Sequence, residues 1–187
     1  KNQLEQAGEG KVIFSYEESY GYMLGDYVRD KDAVTASLLL TEMAAWYADQ
    51  GMTLYEALQA LYVKYGWYGE KTVNLVMPGL EGMEKMQQLM AGLRAQPLSE
   101  IAGEKVLVRM DYADGIQEDL ATGAKTEMEL KGSNVLRYKL ESGTDLIVRP
   151  SGTEPKVKVY VLAQGRDQAQ CDAEVEKFAA WAQTLKK

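Results

Sequence analysis

A chain of 187 residues that is 46% hydrophobic and 26% charged has the makeup of a globular protein with room for one large or two small domains. Its formal charge of −7 argues against a nucleic-acid-binding surface, and the lack of any histidine removes Ser-His-Asp hydrolysis, Cys-His proteolysis and most histidine-based zinc sites. The lone Cys171 closes no internal disulfide, no apolar run approaches the ~20 residues that cross a bilayer, and no signal-peptide pattern is visible, so a cytoplasmic setting without a membrane partner is expected.

The chain starts at Lys1 rather than at a methionine, which suggests a processed product or a piece of a longer polypeptide. Val12 to Ser15 reads as a short strand leading into the polar turn Tyr16–Gly21. Asp32 is placed to cap a helix over Ala33–Asp49, whose Val34, Leu38, Leu39, Met43, Trp46 and Tyr47 recur at helical spacing and which stops at Gly51. Thr53 and Glu56 form a capping-box pattern for a second helix, roughly Leu54 to Tyr65, and Thr72 to Met77 alternates as a strand does. Met77-Pro78-Gly79 interrupts helix and strand alike, so it marks the expected junction between two domains, 1–78 and 79–187.

Beyond the junction a helix is expected near Glu81 to Arg94, then strands at Lys105–Tyr112, Val135–Leu140, Asp145–Arg149 and Lys156–Leu162. The polar stretch Ala113–Gly132 reads as a long connection. A last helix, from Asp167 to about Leu185, puts Val175, Phe178, Ala179, Ala182 and Leu185 on one face. The fold class expected is mixed α/β of the α+β kind: the later domain is an antiparallel sheet of about four strands covered by two helices.

Two loops stand out chemically. Arg149-Pro150-Ser151-Gly152-Thr153-Glu154-Pro155 combines a guanidinium, two hydroxyls and an unobstructed backbone, the donor set that a phosphate dianion needs, while two prolines limit the cost of ordering it. Lys156 and Lys158 follow on one side of the next strand, where either adds charge. By itself such a string is also what a turn at a sheet edge looks like. Glu17-Glu18-Ser19 supplies acceptors suited to sugar hydroxyls, and equally suits a solvated acidic turn. Arg29-Asp30-Lys31-Asp32 precedes a helix, where a cap and local pairing account for its charges.

Taken together and in order, Tyr16-Glu-Glu-Ser-Tyr-Gly21, Arg29-Asp-Lys-Asp32 and Arg149-Pro-Ser-Gly-Thr-Glu-Pro155 resemble the C-terminal part of the α-D-phosphohexomutases, the phosphoglucomutase and phosphomannomutase family. The resemblance spans essentially the whole chain. It implies the C-terminal portion of a sugar-binding third domain followed by a phosphate-binding fourth domain. It further implies that Glu17, Ser19 and Lys31 contact the sugar, and that Arg149, Ser151, Gly152 and Thr153 hold the substrate's non-reacting phosphate. Lys158, an arginine in some members, is grouped with them as a candidate. Tyr16 stands where many members have glycine, and Tyr20-Gly21 where phosphomannomutases carry Gly-His, so the loop looks closer to the phosphoglucomutase branch.

In such enzymes a phosphoserine donates to the sugar through a bisphosphorylated intermediate, with Mg²⁺ and a hexose 1,6-bisphosphate activator. The resemblance assigns serine and metal loops to N-terminal domains of the same polypeptide. Thr35-Ala36-Ser37 echoes the opening of the serine loop only superficially, since Leu38-Leu39-Leu40 follows on what reads as a buried helix face. The chain is therefore expected to be inactive alone and to hold no catalytic or metal residue. A non-catalytic sugar-phosphate-binding module is the other reading.

Overall fold

The computed structural model describes residues 6–17 and 20–186, and the chain divides into two compact units, Lys1–Leu61 and Tyr62–Lys187. In the first unit, β1 (Phe14–Tyr16) and β2 (Tyr22–Leu24) form an antiparallel hairpin in which Tyr16 pairs with Tyr22. Helix α1 (Ala33–Asp49) begins where expected: the Asp32 carboxylate accepts from the Val34 N–H at 2.9 Å, satisfying an otherwise orphaned donor. It ends into Gly51, whose φ of 72° lies in the left-handed region. Helix α2 (Leu54–Tyr65) opens on a reciprocal capping box. The Thr53 N–H donates to Glu56 Oε2 at 2.7 Å, and the Glu56 N–H donates to Thr53 Oγ1 at 3.2 Å.

The expected burial of the α1 apolar face does not hold. No residue of α1 is buried; Leu38 remains 57% and Trp46 59% exposed. An apolar helical stripe needs a second layer to cover it, and among its described residues this unit supplies only short helices and a hairpin of three-residue strands.

The second unit holds the core. Ten-residue β3 (Trp67–Val76) pairs along its whole length with β10 (Lys156–Gly165), so it belongs to the second unit's sheet although the junction read at 77–79 would leave it with the first. The sheet has eight strands, in the order β3-β10-β9-β8-β5-β6-β7 with β4 beside β5, and every registered pair is antiparallel. The four anticipated strands are β5 (Glu104–Asp111), β8 (Leu136–Leu140), β9 (Asp145–Pro150) and β10. β3 contains most of the strand expected at Thr72–Met77 but begins earlier and joins this sheet; the additional ones are β4 (Glu100–Ile101), β6 (Ile116–Asp119) and β7 (Lys125–Glu127), the last two lying inside the polar stretch read as a connection.

Helices α3 (Gly82–Ala95) and α4 (Gln168–Thr184) supply Met86, Met90, Leu93, Val175, Phe178, Ala179 and Ala182 to one core with Val73, Leu75, Val148, Val157, Val159 and Val161. Alternation sends the intervening residues of β3, β9 and β10 to the opposite face of the sheet. Gly69 allows α4 to lie close, since a methyl group there would meet Cys171 Sγ and Val175 Cγ2 at 2.9 Å each. Arg94 of α3 reaches the buried Asp111 with Nε at 2.8 Å and also donates to Asn134, tying the 112–135 segment to the core.

Candidate functional site

The 16–21 loop joins β1 to β2. Its Glu17 N–H donates to the Gly21 carbonyl at 2.8 Å, closing the turn, and Tyr20 takes a φ of 65°. Asp32 N–H donates to the Tyr22 carbonyl at 2.8 Å, bringing the 29–32 segment back against the hairpin. Lys31 Nζ consequently lies 3.1 Å from Glu17 Oε2, while the lysine stem crosses Gly21 so closely that a methyl group there would lie 2.4 Å from Lys31 Cδ. Glu17, Gly21, Arg29 and Lys31 contribute to a cleft of about 170 Å³. Two of the three expected sugar contacts, Glu17 and Lys31, are thus adjacent. Ser19 lies outside the described residues.

Asp32 gathers the neighbouring segment around one carboxylate. The Tyr27 phenol donates to Oδ2 at 2.6 Å, and together with the Val34 N–H and the Thr35 hydroxyl holds the carboxyl below its ordinary range. The same contact pushes the Tyr27 phenol up.

The 149–155 loop joins β9 to β10, strands in the interior of the sheet order. Arg149 and Lys158 are directly opposite each other in the register, on the face away from the core. The Ser151 N–H donates to the Lys156 carbonyl at 2.9 Å, closing the hairpin. The Ser151 hydroxyl oxygen accepts from the Thr153 and Glu154 N–H groups at 3.4 and 3.3 Å, which leaves the hydroxyl proton available to donate outward.

Gly152 has an ordinary backbone angle, and a methyl group on its Cα would meet nothing within 4 Å, so the fold would admit a side chain there. What glycine provides is open space over the loop. Glu154 pairs with Lys156, whose ammonium holds the carboxyl below its ordinary range. The loop therefore offers a guanidinium, an ammonium, two hydroxyls and an unobstructed backbone, a set that matches a phosphate monoester.

Two anchors are not legible in the sequence. The Met77 N–H donates to the Pro155 carbonyl at 2.8 Å, and Gly82 approaches Pro155 so closely that a methyl group would lie 2.9 Å from its Cβ. The Met77-Pro78-Gly79 break thus fastens the end of the phosphate-type loop to β3 and α3. The one sequence signal for it is that Pro155 lacks an N–H, so its carbonyl is the polar group left to be satisfied.

Two family patterns match the chain: "Phosphoglucomutase/phosphomannomutase, alpha/beta/alpha domain III" over residues 1–65 and "Phosphoglucomutase/phosphomannomutase, C-terminal domain" over residues 74–180. This chain belongs to the phosphoglucomutase/phosphomannomutase family. Among relatives of that family, the phosphoglucomutase of Staphylococcus haemolyticus is 36% identical over 149 residues, 80% of this chain and 27% of its own length. One from Staphylococcus aureus is 37% identical over 150 residues, again 80% of this chain and 27% of its own length. The chain spans little more than a quarter of these relatives. A crystal structure of Paramecium parafusin, a phosphoglucomutase in its open form, has a similar fold: TM-score 0.54 at 18% identity, covering 99% of this chain and 31% of that one.

The first unit matches an α/β/α domain, yet its described strands are a hairpin of three-residue segments, too small a layer to bury a 17-residue apolar helix.

Proposed function

We propose that this chain is the sugar- and phosphate-binding C-terminal part of an enzyme that interconverts hexose 1-phosphate and hexose 6-phosphate. The observation that carries this reading is the 149–155 loop, in a chain of this family: two cations and two hydroxyls surround open backbone on the free face of a well-packed sheet. Arg149 and Lys158 supply charge, Ser151 and Thr153 supply directional donors, and Gly152 keeps the approach clear. Glu17, Ser19 and Lys31 serve the sugar: the carboxylate accepts from hydroxyls and the ammonium donates to them. On this reading Lys31 exchanges its contact with Glu17 for one with substrate.

These residues bind and orient; they transfer no phosphoryl group. Phosphoryl transfer depends on holding the two reacting ends and stabilising spread negative charge, so non-reacting contacts contribute to rate through position. The phosphoserine donor, the bisphosphorylated intermediate and the Mg²⁺ belong to other parts of the polypeptide, in a cytoplasmic enzyme. Among the described residues no group of three or more Asp, Glu, Cys or His is arranged to hold a metal ion. No described helix is long and apolar enough to cross a membrane.

The test is turnover. The isolated chain, given glucose 1-phosphate, Mg²⁺ and glucose 1,6-bisphosphate, is expected to form no glucose 6-phosphate, whereas the full-length polypeptide does. Turnover by the isolated chain would overturn the assignment of the phosphoryl donor to other parts.

A further inference from the structure

The register of the sheet brings a residue of β3 beside the phosphate-type loop. Lys158 is directly opposite Arg149 on one side and directly opposite Asn74 on the other. Val73, Leu75, Val148, Val157 and Val159 take the core face, so Arg149, Lys158 and Asn74 project together from the other face in one cross-strand row. At ~4.8 Å between neighbouring strands the row spans about 10 Å.

Such a row is costly when nothing binds it. Like charges directly opposite each other on a sheet repel. Among the described residues neither Arg149 nor Lys158 has an ion-pair partner, and the loop's own carboxylate, Glu154, is engaged by Lys156. Lys158 has its ammonium 6.0 Å from the centre of the Tyr160 ring and feels the Glu154 carboxylate only at a distance, without forming an ion pair with it. The Asn74 side chain is exposed and has no hydrogen-bond partner among the described residues. Two opposed cations and an uncommitted amide beside them form a donor row without an acceptor.

We propose that Asn74 is a further ligand-binding residue of this site, its side-chain amide donating to the phosphate monoester held by Arg149 and Lys158. This rests on the phosphate reading of the 149–155 loop. The three non-bridging oxygens of a phosphate monoester accept more hydrogen bonds than one guanidinium fork supplies. A neutral amide adds direction without adding to the repulsion between the two cations. It also explains why the position suits asparagine better than a third lysine.

The experiment is an NMR titration of the 187-residue chain with glucose 1-phosphate and with inorganic phosphate, comparing the unmodified chain with Asn74→Ala, Asn74→Asp and Arg149→Ala. The unmodified chain is expected to shift at Ser151 to Thr153 and at the Asn74 side-chain amide. Asn74→Ala is expected to weaken glucose 1-phosphate about tenfold, the size of one hydrogen bond to a charged group. Asn74→Asp is expected to weaken it further, and both variants to keep the parent urea midpoint, because an exposed and unpartnered side chain supports no fold. If Arg149→Ala abolishes binding while Asn74→Ala binds as the unmodified chain does, the role of Asn74 is refuted and the phosphate reading stands. If only Asn74→Asp loses affinity, nearby charge rather than a hydrogen bond is at work, and the proposal likewise falls. An unmodified chain that shows no shift at Ser151 to Thr153 overturns the phosphate reading and the Asn74 proposal together.

Discussion

The loop at 16–21 hangs between strands of three residues, and its Lys31–Glu17 contact joins two side chains 55% and 46% exposed. The loop at 149–155 hangs between strands of six and ten residues inside an eight-stranded sheet, with Met77 and Gly82 holding its far end. Both present ligand-type chemistry, yet only the second is set by a buried core. A phosphate site gains from fixed donors because each ordering step postponed until binding subtracts from affinity. A loop with the proposed role of gripping sugar hydroxyls, exchanging an ion pair for substrate, would tolerate a softer frame. Changes in the foundations of the second unit should therefore have large effects, and changes in the first small ones.

Arg94→Ala is the strongest way to break the second frame. Asp111 is 3% exposed and is held by Arg94 Nε at 2.8 Å; truncation leaves a buried carboxylate without its cation. Removing one partner of such a pair costs about 3–5 kcal/mol. The urea midpoint of the second unit should fall accordingly, and the 112–135 segment should lose amide-exchange protection.

Tyr138 gives a pH-dependent version of the same test. Its ring is fully buried, its hydroxyl has no partner among the described residues, and burial pushes the phenol up to about 12 from an ordinary value of 10.0. Between about pH 10 and 12 the unfolded chain sheds this proton while the folded chain keeps it, so stability falls as pH rises. The total loss is about 2–3 kcal/mol for a shift of about two pH units. Tyr138→Phe should remove this part of the alkaline slope and, below about pH 10, leave the protein as stable or about 1 kcal/mol more so, since an unsatisfied buried hydroxyl is lost. Urea titrations at about pH 8 and about pH 11, on either side of the ordinary phenol value, distinguish the two proteins.

Gly82→Ala bears on the loop itself. A methyl group there would lie 2.1 Å from the Met77 carbonyl oxygen, which is backbone and cannot rotate away, and close to Pro155. Overpacking of this kind costs about 2 kcal/mol. Because relief requires Met77 and Pro155, which hold the end of the loop, to shift away from position 82, glucose 1-phosphate binding at the 149–155 loop should weaken in parallel, read by the same NMR titration. A stability loss without any change at the loop would show that the clamp does not set the loop.

The sequence carried local rules well and long-range ones poorly. Asp32, Thr53 with Glu56, and Gly51 announce the ends of α1 and α2, because caps act within a few residues and their side chains reveal them. Likewise Val175, Phe178, Ala179 and Ala182 show the buried face of α4 by spacing alone. The strands β6 and β7 escape a sequence reading because their pattern is polar: Ile116–Asp119 is only half-buried and Lys125–Glu127 is exposed, so no apolar alternation marks them. Membership of β3 in the later sheet depends on pairing with residues at least eighty positions away, which no local window reports. Among the site residues, the chemistry of Arg149, Ser151 and Thr153 is readable from type, whereas the alignment of Asn74 with Lys158 exists only through register.

Gly21→Ala is the smallest change and tests the soft side of the comparison. The backbone angle at Gly21 is an ordinary one, so alanine brings no intrinsic strain there. Its methyl group would meet the Lys31 stem at Cδ and Cγ, 2.4 and 2.8 Å away, and a lysine stem can move to another rotamer. The displaced ammonium leaves Glu17, but an exposed ion pair contributes only about 0–1 kcal/mol, so the urea midpoint should barely change. Side-chain NMR signals of Lys31 and Glu17 should shift all the same, and raising the salt concentration should move them less than in the unmodified chain because the pair it screens is already parted. A loss of stability as large as that of Gly82→Ala would mean that the 16–21 loop is fixed as firmly as the 149–155 loop, and the contrast between a rigid phosphate frame and a yielding sugar frame would fail.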